Sequence, residues 1–130
     1  MEILVVILAL IAGISKAVKD VIDHKFNDSV FNGCVILWDE WNPAFSWRNK
    51  YKQKEGKIVI KNNRPVDRFF LSSTVLVFLT DAWHFFGFLQ ILSIFAIALL
   101  TSSWWIVLMA YIIFHVSFHT FYTYIFHQPN

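Results

Sequence analysis

The chain has 130 residues, of which 57% are hydrophobic and 15% are charged, and its formal net charge is +2. This length allows one domain, and the apolar fraction exceeds that of an ordinary soluble domain. All eleven lysines and arginines lie between Lys16 and Arg68, and outside that range the only acidic residues are Glu2 and Asp81. Because a charge in hydrocarbon is costly, this distribution predicts an all-α integral membrane protein, with residues 1–130 as a single membrane domain.

A first helix is predicted at about residues 3–24. It is apolar for three turns and then amphipathic, with Lys16, Lys19, Asp20 and Asp23 near its end. A hydrocarbon core about 30 Å thick needs about 20 helical residues, so we expect the lysines to snorkel to the inner interface. Met1-Glu2 is not a basic n-region and no clear cleavage site follows, which favours a retained anchor over a cleaved signal peptide.

A long loop is predicted at about residues 26–66, with turn signals at Asn32-Gly33, Asn42-Pro43, Glu55-Gly56 and Asn62-Asn63. Residues 16–68 contain eleven basic and seven acidic side chains, a net charge of +4. We expect the loop to lie on the membrane and to bind anionic headgroups, and we expect no nucleic-acid partner. The alternative is a solvated loop with a small aromatic core. The candidate interfacial residues in this segment are Trp38, Trp41, Trp47, Arg48, Lys50, Tyr51 and Lys52.

Two further helices are predicted, at about residues 67–100 and 104–126. The first of these would be about 50 Å long, so it either tilts or bends near Gly87. The other opens on Trp104-Trp105 as an interfacial anchor. Three transmembrane helices are the economical topology, and a fourth requires a break around Phe86 to Gln90. The positive-inside rule places the basic loop and the C-terminus in the cytoplasm and the N-terminus outside the inner membrane.

Polar residues of the three helices are expected to meet near the cytoplasmic interface. Counting about 20 residues inward from the outer ends brings the predicted helices to the same depth at their polar positions. Asp81 is the most informative of these residues, because it lies inside the apolar stretch from Phe69 to Phe86. A structural hydrogen-bond network, a metal or catalytic site and a proton or ion path are the three interpretations. The predicted polar network consists of Lys16, Asp20, His24, Asp81 and His84.

A divalent metal is one candidate ligand of such a cluster. Histidines four residues apart on a helix can reach the same metal ion, and carboxylates from neighbouring helices can complete its shell. The pair His115 and His119 has this spacing, but without a neighbouring glutamate it does not indicate a protease. The candidate metal ligands are Asp20, Asp81, His84, His115 and His119.

Several blocks of the sequence are distinctive. They are GISKAVKD at residues 13–20, WNPAFSWRNKY at 41–51, FFLSSTVLVFLTDAWHF at 69–85 and the closing FHTFYTYIF. They resemble the blocks of a family of small uncharacterised integral membrane proteins common in Bacteroidota. The resemblance implies a shared polar site at the inner interface and implies no metal role for His115 and His119. It places these residues at motif positions: Lys16, Asp20, Asn42, Pro43, Trp47, Asn49, Lys50, Tyr51, Asp81, Trp83 and His84.

The leading functional prediction is a small helical inner-membrane protein with a buried polar network, acting as a structural or accessory component. Few small residues are available for close helix packing, which favours a homo-oligomer or a membrane-protein partner. One alternative is a membrane metalloenzyme acting on a lipid-like substrate through the Asp/His site. The other is an oligomeric pore or proton path through Asp81 and His84.

Overall fold

The chain is mostly helical, and its described residues, 1–32 and 41–126 of a computed structural model, contain three long helices. The helices are α1 (Glu2–His24), the short α2 (Pro43–Ser46), α3 (Ala82–Leu100) and α4 (Trp104–Thr120), which continues as a π-helical segment (Phe121–Phe126). Single 3-10 turns lie at Phe26–Asp28, Trp47–Lys50 and Val77–Leu79. Four two-residue strands are β1 (Gln53–Lys54), β2 (Lys57–Ile58), β3 (Ile60–Lys61) and β4 (Arg64–Pro65).

The first helix is the centre of the bundle. Helices α3 and α4 each pack along α1, whereas they hardly touch one another. At one end, Val5 and Ala9 of α1 pack against Ala110 of α4, and Ile97 and Leu100 of α3 lie against the same cluster. At the opposite end a larger cluster surrounds α1, formed by the buried residues Val18, Val21, Ile22, Phe26, Phe31 and Ala82. Helix α1 therefore runs parallel to α4 and antiparallel to α3.

A close backbone approach joins α1 to α4. A Cβ atom added at Gly13 would overlap the Ser117 hydroxyl and would lie 2.5 Å from the carbonyl oxygen of Phe114. Only glycine leaves enough room here, because its missing side chain lets two helix backbones come together. Gly13 therefore fixes the position of α4 on α1.

Two of the helices in the described chain are long and apolar enough to cross a membrane. They are Ala82–Leu100, with a mean hydropathy of 1.9, and Trp104–Phe126, with a mean hydropathy of 1.5. Only 11% of each apolar window is buried inside the protein. Large aliphatic side chains on α3 point outward, and Ile91 and Leu99 are 70% and 73% exposed. Such outward apolar faces are typical of helices surrounded by lipid or by other helices.

The basic loop contains a compact pair of hairpins. Strand β1 pairs with β2 and β3 pairs with β4, both antiparallel. Their turns are Glu55-Gly56 and Asn62-Asn63, and all four residues have positive φ, as a type I′ turn requires. Three backbone hydrogen bonds join the two hairpins. The N–H of Lys52 donates to the carbonyl of Val66, that of Val59 to Lys52, and that of Val66 to Val59. Thus two of the turn signals in the sequence mark real turns.

The second long helix begins later than the sequence predicted. It starts at Ala82, not near Asp67, and residues 69–80 form turns and a 3-10 helix. The apolar residues before it are unusually exposed, with Phe70 at 80% and Val75 at 67%. Leu71 has a φ of 55°, a left-handed conformation that is strained for a bulky side chain. The predicted 50 Å helix is therefore wrong in its first part, and α3 has an ordinary membrane-spanning length.

The alternative of a fourth span also fails. Helix α3 is uninterrupted from Ala82 to Leu100, so it has no break around Phe86 to Gln90. Gly87 lies within this helix and is buried against the side chain of Lys19 on α1. The glycine accommodates a neighbouring helix here and does not divide the span.

Candidate functional site at the charged end of the bundle

The charged end of the bundle brings together the last turns of α1, the first turn of α3 and the last turns of α4. Lys19 of α1 lies against Gly87 of α3, and the ammonium of Lys16 lies 5.3 Å from the ring centroid of Phe118 on α4. The backbone N–H of Val30 donates to the carbonyl of Phe126, so the chain leaving α1 also contacts the end of the last helix. The charged groups of α1 therefore lie between both neighbouring helices.

Asp81 is the N-cap residue of α3. Its backbone is extended, and its Oδ1 accepts a hydrogen bond from the backbone N–H of His84 at 3.0 Å. Its Oδ2 lies 2.7 Å from Nδ1 of the His84 ring and accepts a bond from the Thr80 hydroxyl at 3.1 Å. A capping carboxylate satisfies N–H groups that a helix end leaves without partners. This explains why an acidic residue whose side chain is only 2% exposed interrupts an apolar stretch.

The Asp81–His84 pair also has a geometry suited to accepting a proton or a hydrogen bond. When Asp81 accepts the Nδ1–H of a neutral imidazole, Nε2 becomes the acceptor nitrogen of that ring. The buried carboxylate thus fixes the orientation and the tautomer of His84. The imidazole itself is 28% exposed. His84 is therefore placed to accept a proton or a hydrogen bond from a molecule at the charged end.

The other charged groups pair around α1. Lys16 and Asp20 form an ion pair one helical turn apart. Lys19 lies over the indole of Trp83, with its ammonium 4.4 Å from the ring centroid. The indole N–H of Trp83 donates to Asp23 at 2.8 Å, which joins the first turn of α3 to the last turn of α1.

A small cavity of about 150 Å³ joins these groups to the loop. The imidazole of His84 lines this cavity together with Asp23 and with residues of the short helix α2. Asn42 caps α2 by accepting a bond from the Ala44 N–H at 2.9 Å, which holds Pro43 and Ser46 in place. The lining residues are Ile22, Asp23, Pro43, Ser46, Trp47, Asp81, Trp83 and His84.

The predicted polar network is divided into separate pairs. Asp20 bonds Lys16 on its own helix, and Asp81 bonds His84 on α3. His24 is exposed and lies beside a second, polar cavity of about 320 Å³ with Asn42 and Asp28. All five residues lie at the charged end, but they do not form one hydrogen-bonded group.

Asp23 was predicted only to lie near the end of the first helix, and it was not among the candidate site residues. It accepts the hydrogen bond from the Trp83 indole and borders both cavities at the charged end. The available signal was its spacing, because Asp23 lies one turn after Lys19 on the same helix face.

The candidate metal ligands do not come together in one cluster in the part of the chain that the structure describes. Among residues 1–32 and 41–126, no group of three or more histidine, cysteine or acidic side chains is close enough to hold a metal ion. His115 and His119 stack on one another with ring centroids 6.4 Å apart, and His115 also contacts Tyr111 on α4.

The predicted interfacial residues have different environments. Trp41 is half-buried and stacks on Phe31 at 4.5 Å, so it belongs to the core cluster and not to an exposed lipid-facing layer. Trp47 is exposed, and Arg48 lies over its ring. Lys50 lies over the ring of Tyr51, and Lys52 is exposed.

At the other end of the bundle, Trp104 and Trp105 are exposed and stack on one another with ring centroids 3.6 Å apart. Trp38 lies outside the described residues. Tryptophans at both ends of the long helices fit the aromatic belts of membrane proteins.

No protein-family model, no curated protein and no solved structure matches the chain. The contacts of the described residues are therefore the basis on which a function is assigned.

Proposed function

We propose that the chain is a small helical protein of the cytoplasmic membrane that acts as a structural or accessory component, as an oligomer or with another membrane protein. We propose as well that it belongs to the Bacteroidota membrane-protein family whose sequence blocks it resembles. The observation that supports the membrane location is the outward apolar surface of α3 and α4, since only 11% of the apolar window of each helix is buried inside the protein. Water would solvate this surface poorly, whereas acyl chains or other helices cover it without cost.

Three spans are proposed because α1 lies between α3 and α4. Helix α1 contains Lys16, Lys19 and Asp20 and is not among the two helices apolar enough to span alone. Its neighbours supply the missing apolar cover, because Lys16 lies on Phe118 and Lys19 on Trp83. Long cationic side chains can also extend to the headgroups. Helix α1 would therefore cross the bilayer with its two partners.

The basic hairpins are proposed to face anionic headgroups on the cytoplasmic side. All eleven lysines and arginines lie between Lys16 and Arg68, which orients this segment inward under the positive-inside rule. Exposed Phe45, Trp47 and Phe70 lie in the same part of the chain as the basic residues. Each basic residue near an anionic surface contributes about 1 kcal/mol of binding free energy. Aromatic rings and cations together suit the water–lipid boundary.

Labelling of single cysteines tests this topology. In a Cys34→Ser background, Ser102→Cys places a thiol in the turn between α3 and α4, and Asn63→Cys places one in the second hairpin. A membrane-impermeant maleimide should label Ser102→Cys in intact spheroplasts and Asn63→Cys only after lysis. Labelling of Asn63→Cys in intact spheroplasts would contradict the orientation, and loss of the protein in a carbonate wash would contradict the membrane location.

Cross-linking in native membranes tests the assembly. We expect a reproducible cross-linked species larger than the single chain, either a multiple of its mass or a heteromeric complex. A strictly monomeric protein in membranes and in mild detergent would remove the proposed assembly and leave the membrane location intact.

One observation favours a second candidate, an enzyme that acts on a lipid-like ester. Asp81 orients His84 beside the cavity at the charged end, where a headgroup would lie. In this scheme, a water proton passes to Nε2 of His84 while the water oxygen attacks the ester carbonyl, and the proton then passes to the departing alcohol. Reconstituted wild-type protein should release fatty acid from phospholipid vesicles, and His84→Gln should release none. No release by the wild type would end this candidate.

A further inference from the structure

An apolar groove lies between the three long helices. Helices α3 and α4 diverge from one another on either side of α1, and the space between them measures about 320 Å³. Alanines of α1 form its floor, and larger side chains of α3 and α4 form its walls. The lining residues are Ala9, Ala12, Ile94, Ile97, Val107, Ala110, Tyr111 and Phe114.

The size and the chemistry of the groove indicate its occupant. Apart from the Tyr111 hydroxyl, every lining side chain is a hydrocarbon. An extended acyl chain is much narrower than a helix. In a bilayer, an acyl chain can fill this space without moving α3 or α4.

A cationic group lies beyond the floor of the groove. Ala9, Ala12 and Lys16 have the spacing of residues on one helix face, and the rise of the helix places Lys16 about 10 Å from Ala9. The side chain of Lys16 is 36% exposed. Its ammonium has three donors, so it can bind a phosphate oxygen and keep its bond to Asp20. The apolar groove and the cation are thus separated in the same way as the tail and the phosphate of a lipid.

We propose that the groove binds one acyl chain of a phospholipid from the cytoplasmic leaflet, with the phosphate of that lipid at Lys16. This inference deepens the proposed function and rests on it, because such a lipid reaches the groove only if the three helices lie in the bilayer. The bound lipid would complete the packing between α3 and α4. It would differ from the lipids around the protein by its slow exchange.

A matched pair of tryptophan variants tests the groove. Ile94 lines it and is 49% exposed, so the indole of Ile94→Trp would fill the groove from its rim and leave the buried face of α1 unchanged. Leu99 on the same helix is 73% exposed and does not line the groove, so Leu99→Trp is the control. Native mass spectrometry after detergent exchange counts the phospholipid that each protein retains, and circular dichroism verifies the helical content of both.

We expect one retained phospholipid per chain in the wild type and in Leu99→Trp, and at least tenfold less in Ile94→Trp. Lys16→Gln should retain less lipid and should lose any preference for anionic headgroups. The inference is overturned if the wild type retains no lipid or if Ile94→Trp retains as much as the control. It is also overturned if Ile94→Trp converts an oligomer into monomers, because a helix of a second copy then occupies the groove.

The proposed function has a separate readout. Carbonate extraction of the wild type reports whether the protein is embedded in the membrane at all. A membrane-embedded wild type without bound lipid contradicts the groove alone, whereas an extracted wild type contradicts the membrane location.

Discussion

The two interfaces of α1 are constructed differently. Toward α4, the contact depends on a missing side chain, because Gly13 lies directly against Ser117 and the backbone of Phe114. Toward α3, it depends on long polar side chains, with Lys19 over Trp83 and Asp23 bonded to the same indole. The first interface tolerates no added atom, whereas the second has room for side chains to adjust. The same helix therefore holds one neighbour by shape and the other by specific polar contacts.

The largest expected effect comes from adding one methyl group on the α4 side. Gly13→Ala should lower the free energy of unfolding by about 1–3 kcal/mol, because the new Cβ overlaps Ser117 and backbone atoms that cannot rotate away. Unfolding in a mixed-micelle denaturant titration measures it. The control is Gly87→Ala, whose Cβ would meet only the flexible Lys19 side chain at 3.5 Å. That variant should be neutral or more stable by about 0.5–1 kcal/mol, because alanine favours a helix interior. Equal losses at both sites would contradict the difference between the interfaces.

The next effect concerns the start of α3. Asp81→Ala removes the N-cap and should cost about 1–2 kcal/mol, measured in the same titration. Asp81→Asn keeps a side-chain oxygen and should cost much less, because asparagine caps helices as well as aspartate does. If the two variants lose the same stability, the charge of Asp81 matters and capping alone is not its role.

A smaller effect is expected for the polar bond between α1 and α3. Trp83→Phe removes the N–H that Asp23 accepts and keeps an aromatic face for Lys19, so it should cost about 0.5–1.5 kcal/mol. A double-mutant cycle with Asp23→Ala isolates the pair. A coupling energy near zero would mean that the indole stabilises α3 by packing alone.

The smallest effect is expected for the pair on α1 itself. Lys16→Gln removes a partly exposed ion pair one turn apart, which contributes at most about 0.5 kcal/mol to the free energy of unfolding. The same titration at low and high salt measures it, and the difference from the wild type should shrink as salt rises. A loss of stability as large as that of Asp81→Ala would show that Lys16 makes stabilising contacts beyond its ion pair with Asp20.

Hydropathy and turn chemistry predicted different parts of this molecule. The apolar runs place a helix before His24 and another after Trp104, since the hydrophobic side chains there are continuous. Glu55-Gly56 and Asn62-Asn63 mark turns because these residue types accept positive φ. Residues 69–79 are as apolar as a transmembrane helix and yet are not α-helical, so hydropathy gave the wrong start for α3. Thr80-Asp81 lies immediately before α3, and Asp81 is the residue that caps this helix.

Which side chains of the site pair with one another was harder to predict than the end of the bundle at which they lie. A count along each helix brings Lys16, Asp20, Asp81 and His84 to one end of the bundle, because helical rise is constant. It gives no rotation about the helix axes, so it cannot tell which groups face one another. Lys16 and Asp20 bond within their helix, whereas Asp23 reaches Trp83. Pairing depends on helix rotation, which the packing at Gly13 and Gly87 decides.

The central position of α1 has a consequence for biosynthesis. This helix leaves the ribosome before α3 and α4, and its partner α4 is complete only after the chain has passed residue 120. At about 5–20 residues per second, α1 waits about 5–20 seconds for the last helix. Throughout that interval the glycine face of α1 has no native cover, whereas its charged turn can already pack on α3. In the proposed membrane location, the insertion machinery or lipids at the site of synthesis would cover this face of the nascent first helix until α4 arrives.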